Sequence, residues 1–319
     1  MPIVQSSSFR PPFLFRAGHL QTIIPTLVTT FPDVRYRRER IDTPDADVLD
    51  LDWAETGSDR VAILSHGLEG SAARWYMRGM ARSLNRAGWD ALPWNFRGCG
   101  GEMNRTLRFY HSGATDDLAT VIAHLQSLGR YRRIALIGFS LGGNMTLKYL
   151  GEQGSAIDPA IIGAVVFSVP CDLKTSAIRL ALPSNSIYMR RFIKTLSEKV
   201  REKSRVMPEL DTAGLAGMRT FQQFDDRYTA PLHGFRDAED YWARCSSRGF
   251  LGAITIPTLI VNAANDPFLS PECYPIAEAE RSGSVFLEMP ASGGHVGFMA
   301  GGDRFWMGER ALSFLEGID

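Results

Sequence analysis

The sequence predicts an α/β protein: a mostly parallel central sheet flanked by helices, with an inserted helical cap. Three observations carry that expectation. Short unbroken apolar runs at 61–64 and 134–137 read as strands buried on both faces. Stretches with helical patterning alternate with such runs along the first half of the chain. The alternation stops between about 171 and 248 and resumes at Pro257, as it would if one core were interrupted by an insertion. The expected division is a core of residues 1–170 and 250–319, with an N-terminal arm at 1–32, and a helical cap at 171–249.

Composition narrows the class. The 319 residues are 45% hydrophobic and 22% charged, which is ordinary for a globular protein. Lys plus Arg and Asp plus Glu balance at 35 each, so no net field favours nucleic acid. The four cysteines, Cys99, Cys171, Cys245 and Cys273, show no metal-ligand or disulfide spacing. No metal or other cofactor is expected, and a reducing cytoplasm is the expected compartment. Residues 1–12 lack the pattern of a secretory signal. The longest strongly apolar segment, 160–169, is strand-length and far short of the roughly 20 residues that span a bilayer.

Taken in order, residues 9–31 are rich in proline and aromatics and read as an arm packed on the core, with His19 a hydrogen-bonded structural histidine. Residues 35–41 and 48–54 alternate as two antiparallel strands at a sheet edge, the run Arg35, Arg37, Arg38 and Arg40 forming a solvated edge. The strand at 61–64 ends in Ser65-His66-Gly67-Leu68-Glu69-Gly70, with His66 shaping the loop. A helix at 73–87, a strand at 90–96 and a helix at 115–128 follow, the last capped by Thr115 or Asp116. Strands are expected again at 161–168, 257–262 and 284–289, and a closing helix over 303–315. In the insertion, Met189, Phe192, Ile193, Leu196 and Val200 mark one helical face. The basic residues around that face read as solvated, although a basic amphipathic helix can also rest on a lipid surface.

The chemistry-bearing stretch is Gly138-Phe139-Ser140-Leu141-Gly142, between an apolar strand and a helix-forming segment. G-x-S-x-G at a strand-to-helix turn is a nucleophile elbow, and that pattern takes a second oxyanion donor from a loop after an earlier strand. Leu68, following His66-Gly67, is the candidate for that donor, beside the Leu141 amide. Ser140, Asp266 and His295 occur in the order nucleophile, acid, base, each just past an expected strand. A serine hydroxyl needs a neutral imidazole to take its proton, and the imidazole needs a carboxylate to hold it. Asp237 and Asp240 are reserve acids, but both lie in the expected cap. Cys99 lacks the neighbouring charge that marks a second nucleophile.

These motifs resemble the α/β-hydrolase superfamily. Further stretches resemble its YheT-like esterase branch: Gly18-His19-Leu20-Gln21-Thr22-Ile23, Ser65-His66-Gly67-Leu68-Glu69-Gly70, Asn95-Phe96-Arg97-Gly98, Asp226-Arg227-Tyr228-Thr229-Ala230-Pro231, Asp266-Pro267-Phe268 and Gly294-His295-Val296-Gly297-Phe298. Such sequences often carry two aspartates where this one has Asn265-Asp266. The resemblance covers about 13–298 and implies hydrolysis of acyl esters or lipids without a cofactor. Thioester hydrolysis, transfer to an alcohol, or a non-catalytic binding role on the same fold are the competing readings. Physiological substrate and oligomeric state stay open.

Overall fold

The computed structural model describes residues 2–302 and 304–318. Its strands are β1 (Ile3–Val4), β2 (Arg37–Asp42), β3 (Val48–Trp53), β4 (Arg60–Ser65), β5 (Asp90–Asn95), β6 (Arg133–Phe139), β7 (Ile161–Phe167), β8 (Thr258–Val261) and β9 (Val285–Glu288). They form one sheet in the order β1-β9-β8-β7-β6-β4-β5-β3-β2. The β2–β3 and β3–β5 pairs are antiparallel and the others parallel. The antiparallel edge is therefore as the sequence predicts. The two-residue β1, which pairs with Leu287 and Glu288, was not anticipated because it is too short to show a period.

The helices are α1 (Gly18–Val28), α2 (Trp75–Arg86), α3 (Thr115–Ser127), α4 (Leu141–Gln153), α5 (Leu173–Leu180), α6 (Ser186–Ser204), α7 (Phe221–Phe224), α8 (Ala230–Leu232), α9 (Ala238–Cys245), α10 (Ile276–Glu280) and α11 (Trp306–Glu316). A π turn over Asp225–Thr229 joins α7 to α8. The unbroken apolar strands are explained by cover on both faces. In β6, Ile134 and Leu136 pack with Leu118, Val121 and Leu125 of α3. Ala135, Ile137 and Phe139 face the other way, among Met80 and Leu84 of α2 and Ala311 and Leu315 of α11. A third cluster gathers Met189, Ile193 and Val200 of α6 with Phe224 and Tyr228, and meets Phe109 and Phe268 from outside the stretch between β7 and β8. All described elements between β7 and β8 are helical.

Several local expectations change. The cap of α3 is Ala114, without a side-chain bond. Asp116 instead pairs with Arg108 at 2.8 Å and Asp117 with buried Arg97 at 2.6 Å. Arg38 and Arg40 of β2 pair across the strand with Asp52 and Asp50, at 2.7 Å each, rather than standing free in solvent. In α6, Lys203 is fully buried, donating to the carbonyls of Leu107 and Arg108. The last helix begins at Trp306, and the expected start, Asp303, lies outside the described residues. No described helix is long and apolar enough to cross a membrane.

Arg97 lies at the start of the loop after β5 and binds Asp45 and Asp47 at 2.8 Å as well as Asp117. Replacing it by alanine leaves Asp117 a buried unpaired carboxylate and takes from buried Asp47 its cation. Arg97→Ala is expected to destabilise the fold by about 3–5 kcal/mol, read as a lower urea midpoint. A loss below about 1 kcal/mol would contradict this account of the loop.

Candidate active site

Ser140 lies at the turn from β6 into α4, with φ 54° and ψ −118°, outside the comfortable regions for a residue with a Cβ. Close packing holds the turn. The Ser140 amide donates to Phe167 O of β7 at 2.8 Å. A Cβ on Gly138 would stand 2.6 Å from Gly143 Cα, and one on Gly142 would strike the carbonyl oxygens of Ser65 and His66. Glycine is thus required on both sides, as the motif implied.

Asp266 and His295 reach the same point from the loops after β8 and β9. Asp266 is buried; its Oδ1 accepts the Phe268 amide at 2.9 Å. His295 Nδ1 lies 2.9 Å from Asp266 Oδ2 and 3.1 Å from Oδ1. His295 Nε2 lies 2.9 Å from Ser140 Oγ. Since the carboxylate accepts, the imidazole hydrogen sits on Nδ1 and leaves Nε2 with a lone pair toward the serine hydroxyl. Phe268 stacks on the imidazole with centroids 4.1 Å apart, which limits its swing.

The predicted donor loop lies against the serine: a Cβ on Gly67 would be 3.2 Å from Ser140 Cβ. Leu68 and Leu141 line one cavity together with Ser140 and His295. Leu141 is the first residue of α4, so its amide has no acceptor one turn earlier in the helix. A second cavity also reaches Ser140 and His295 and carries Thr22, Arg74, Tyr188 and Arg191. Among the described residues no group of His, Cys, Asp and Glu is gathered as a metal-ligand set.

Other candidates fall into structural places. His19 bonds Tyr188 Oη at 3.0 Å. Asp237 caps α9 through the Asp240 amide, and Asp240 pairs with Arg236 and Arg244. Sequence reasoning missed a brace from the arm and a lysine from α6. Thr22 Oγ1 accepts the His295 amide at 2.9 Å, and Asn265 Oδ1 accepts the Gly294 amide at 3.1 Å while its Nδ2 donates to Arg16 O. The arm therefore braces the histidine loop, and the Asn265 departure has a place in that brace. Lys199 of α6 is the other. It reaches Glu69 at 2.8 Å and Cys99 Sγ at 3.1 Å, giving Cys99 a charged neighbour contrary to the sequence reading. A pairing across 130 residues leaves no local signal.

Residues 62–301 match the alpha/beta hydrolase fold family. The chain belongs to that family. Its relatives in the α/β-hydrolase family include the protein named esterase YheT of Escherichia coli, 33% identical over 97% of this chain and 93% of that one. They also include phospholipase ABHD3 of Mus musculus, 30% identical over 88% of this chain and 71% of that one. The monoacylglycerol lipase of Saccharomyces cerevisiae is 29% identical over 92% and 66% of the two chains. An esterase of Pyrococcus furiosus shares the fold at TM-score 0.61, with 19% identity over 98% of each chain. The YheT-like resemblance and the hydrolase fold are both borne out.

In its neutral form His66 supports the loop that carries Leu68. Its Nδ1 pairs with Gly67 O at 2.8 Å, and its Nε2 accepts the Phe96 amide at 3.2 Å. Complete burial, the largest cause, pushes this imidazole down to about 3. Unfolded, it titrates near 6.5. Between those values the unfolded chain binds more protons, so this stabilisation is lost as pH falls from about 6.5 toward about 3. His66→Gln should show a shallower fall of urea midpoint across that window than the wild type, whatever its absolute stability; an unchanged slope would contradict the neutral, buried ring.

Proposed function

We propose that the protein is a serine hydrolase that cleaves carboxylic esters, of acyl-ester or lipid type, through an acyl-enzyme on Ser140. The observation that carries the reading is the run of contacts from Asp266 through His295 to Ser140 Oγ, each 2.9 Å at its shortest. In this reading His295 Nε2 removes the hydroxyl proton as Oγ attacks the ester carbonyl. Asp266 holds the tautomer and stabilises the imidazolium. The amides of Leu68 and Leu141 receive the oxyanion. Two such donors need no ionisation, and losing one typically costs about 2.7–4 kcal/mol of barrier. The imidazolium then protonates the leaving alcohol, and water activated by His295 releases the acid.

The largely apolar cavity beside Leu141 suits the acyl chain, with helices 171–249 serving as its cap. The cavity with Arg74 and Arg191 then takes the alcohol side. The esterase and lipase names of the relatives support the same reaction class. All four cysteines are unpaired, which supports a reducing compartment.

Ser140→Ala and His295→Ala should each lower kcat for p-nitrophenyl ester hydrolysis by at least about a thousandfold, with circular dichroism unchanged. Full activity in a folded Ser140→Ala protein refutes the assignment.

A further inference from the structure

The cavity beneath the insertion is walled by side chains such as Leu173, Leu180, Phe192, Leu196, Val200 and Phe224, as a hydrocarbon chain requires. Three polar residues in the same wall, His111, Asp225 and Tyr241, have no part in the chemistry above. They form one cluster. The rings of His111 and Tyr241 meet edge to face with centroids 5.7 Å apart. His111 also packs at 4.6 Å on His233, which bonds the carbonyl of Thr229, and Thr229 Oγ1 donates to Asp225.

The hydrogen-bond inventory of the cluster is incomplete. His111 is more than nine-tenths buried, and its Nδ1 accepts the Gly113 amide at 3.1 Å. The neutral ring therefore carries its hydrogen on Nε2, for which the described residues provide no acceptor. Tyr241 Oη accepts the Ser112 amide at 3.0 Å and also meets the Ser112 side chain, so its hydroxyl is already partnered. Asp225 accepts from Thr229 Oγ1 at 2.6 Å and Trp242 Nε1 at 2.9 Å, which leaves each oxygen a further lone pair. It sits in the π turn between α7 and α8, a distortion common at functional sites. Burial pushes its carboxyl up to about 7.

A free donor on His111 and a carboxyl with spare lone pairs, lining one apolar wall, match a neutral group that both accepts and donates. A substrate carboxylate would face Asp225, and a bare methylene would strand His111 and Asp225 alike, whereas a hydroxyl can meet the carboxyl whether it is ionised or not. We infer that the acyl pocket selects an acyl chain bearing a hydroxyl group, which accepts from His111 and donates to Asp225. This rests on the ester-hydrolase reading of Ser140.

The test uses p-nitrophenyl alkanoates of graded length, each with and without a hydroxyl at successive carbons, and alkanoate esters carrying the hydroxyl on the alcohol side instead. For one acyl position, kcat/KM of the hydroxylated ester should exceed that of its plain partner by about tenfold or more. The ratio should fall toward one in His111→Phe and Asp225→Asn. Because the ratio is taken within each protein, a general loss of turnover cancels, and the wild-type comparison stands even if a variant fails to fold. Equal rates for every wild-type pair, or a preference seen only with the hydroxyl on the alcohol side, overturn the inference and leave the esterase reading intact. Hydrolysis of none of the esters removes the esterase reading and the inference with it.

Discussion

The strained backbone at Ser140 is the constraint on which the site depends. A serine at φ 54° is unfavourable by itself and persists because its surroundings leave no alternative. Its amide is tied to β7, glycines let β4 and α4 close on it, and β4, β6 and β7 lie side by side in parallel register. Parallel strands deliver their carboxyl ends to one edge. The loops after β4, β6, β8 and β9 therefore converge without any local sequence proximity.

The parts outside the sheet act on that edge from two sides. The N-terminal arm holds the histidine loop through Thr22, and through Gln21, which bonds both the amide and the carbonyl of Met299. Helix α6 holds the other side through Lys199, whose ammonium binds Glu69, the neighbour of Leu68. Glu69 itself has φ 53°, and its amide and carboxylate are both bonded to Tyr110 Oη. The loop that carries Leu68 is thus fixed by side chains from a distant helix as well as by its own turn. Fixing dipoles before charge develops is what makes amide donors effective in such a site.

Much of this was legible because local chemistry and global fold agree. The apolar runs gave the strands, since a strand covered on both faces has no alternation to hide. Gly138 and Gly142 marked the turn because only glycine fits there, and His295 and Asp266 stood out as lone groups of the required type just past strands. The reach of Lys199 to Glu69, the burial of Lys203 and the cross-strand pairing of Arg38 and Arg40 were not legible. A basic residue in a helix or edge strand looks solvated until its distant partner is known. The polar cluster around Asp225 escaped for the same reason, its members being spread from His111 to Trp242.

The central claim is that a reacting oxygen beside Ser140 faces the amides of Leu68 and Leu141. A crystal structure of the protein inactivated with an alkyl phosphonate tests it directly, since the tetrahedral phosphorus stands in for the attacked carbonyl carbon. The account predicts phosphorus bonded to Ser140 Oγ, with its phosphoryl oxygen about 2.7–3.1 Å from both amide nitrogens. A phosphoryl oxygen turned away from both, or phosphorus bonded to another side chain, would contradict it.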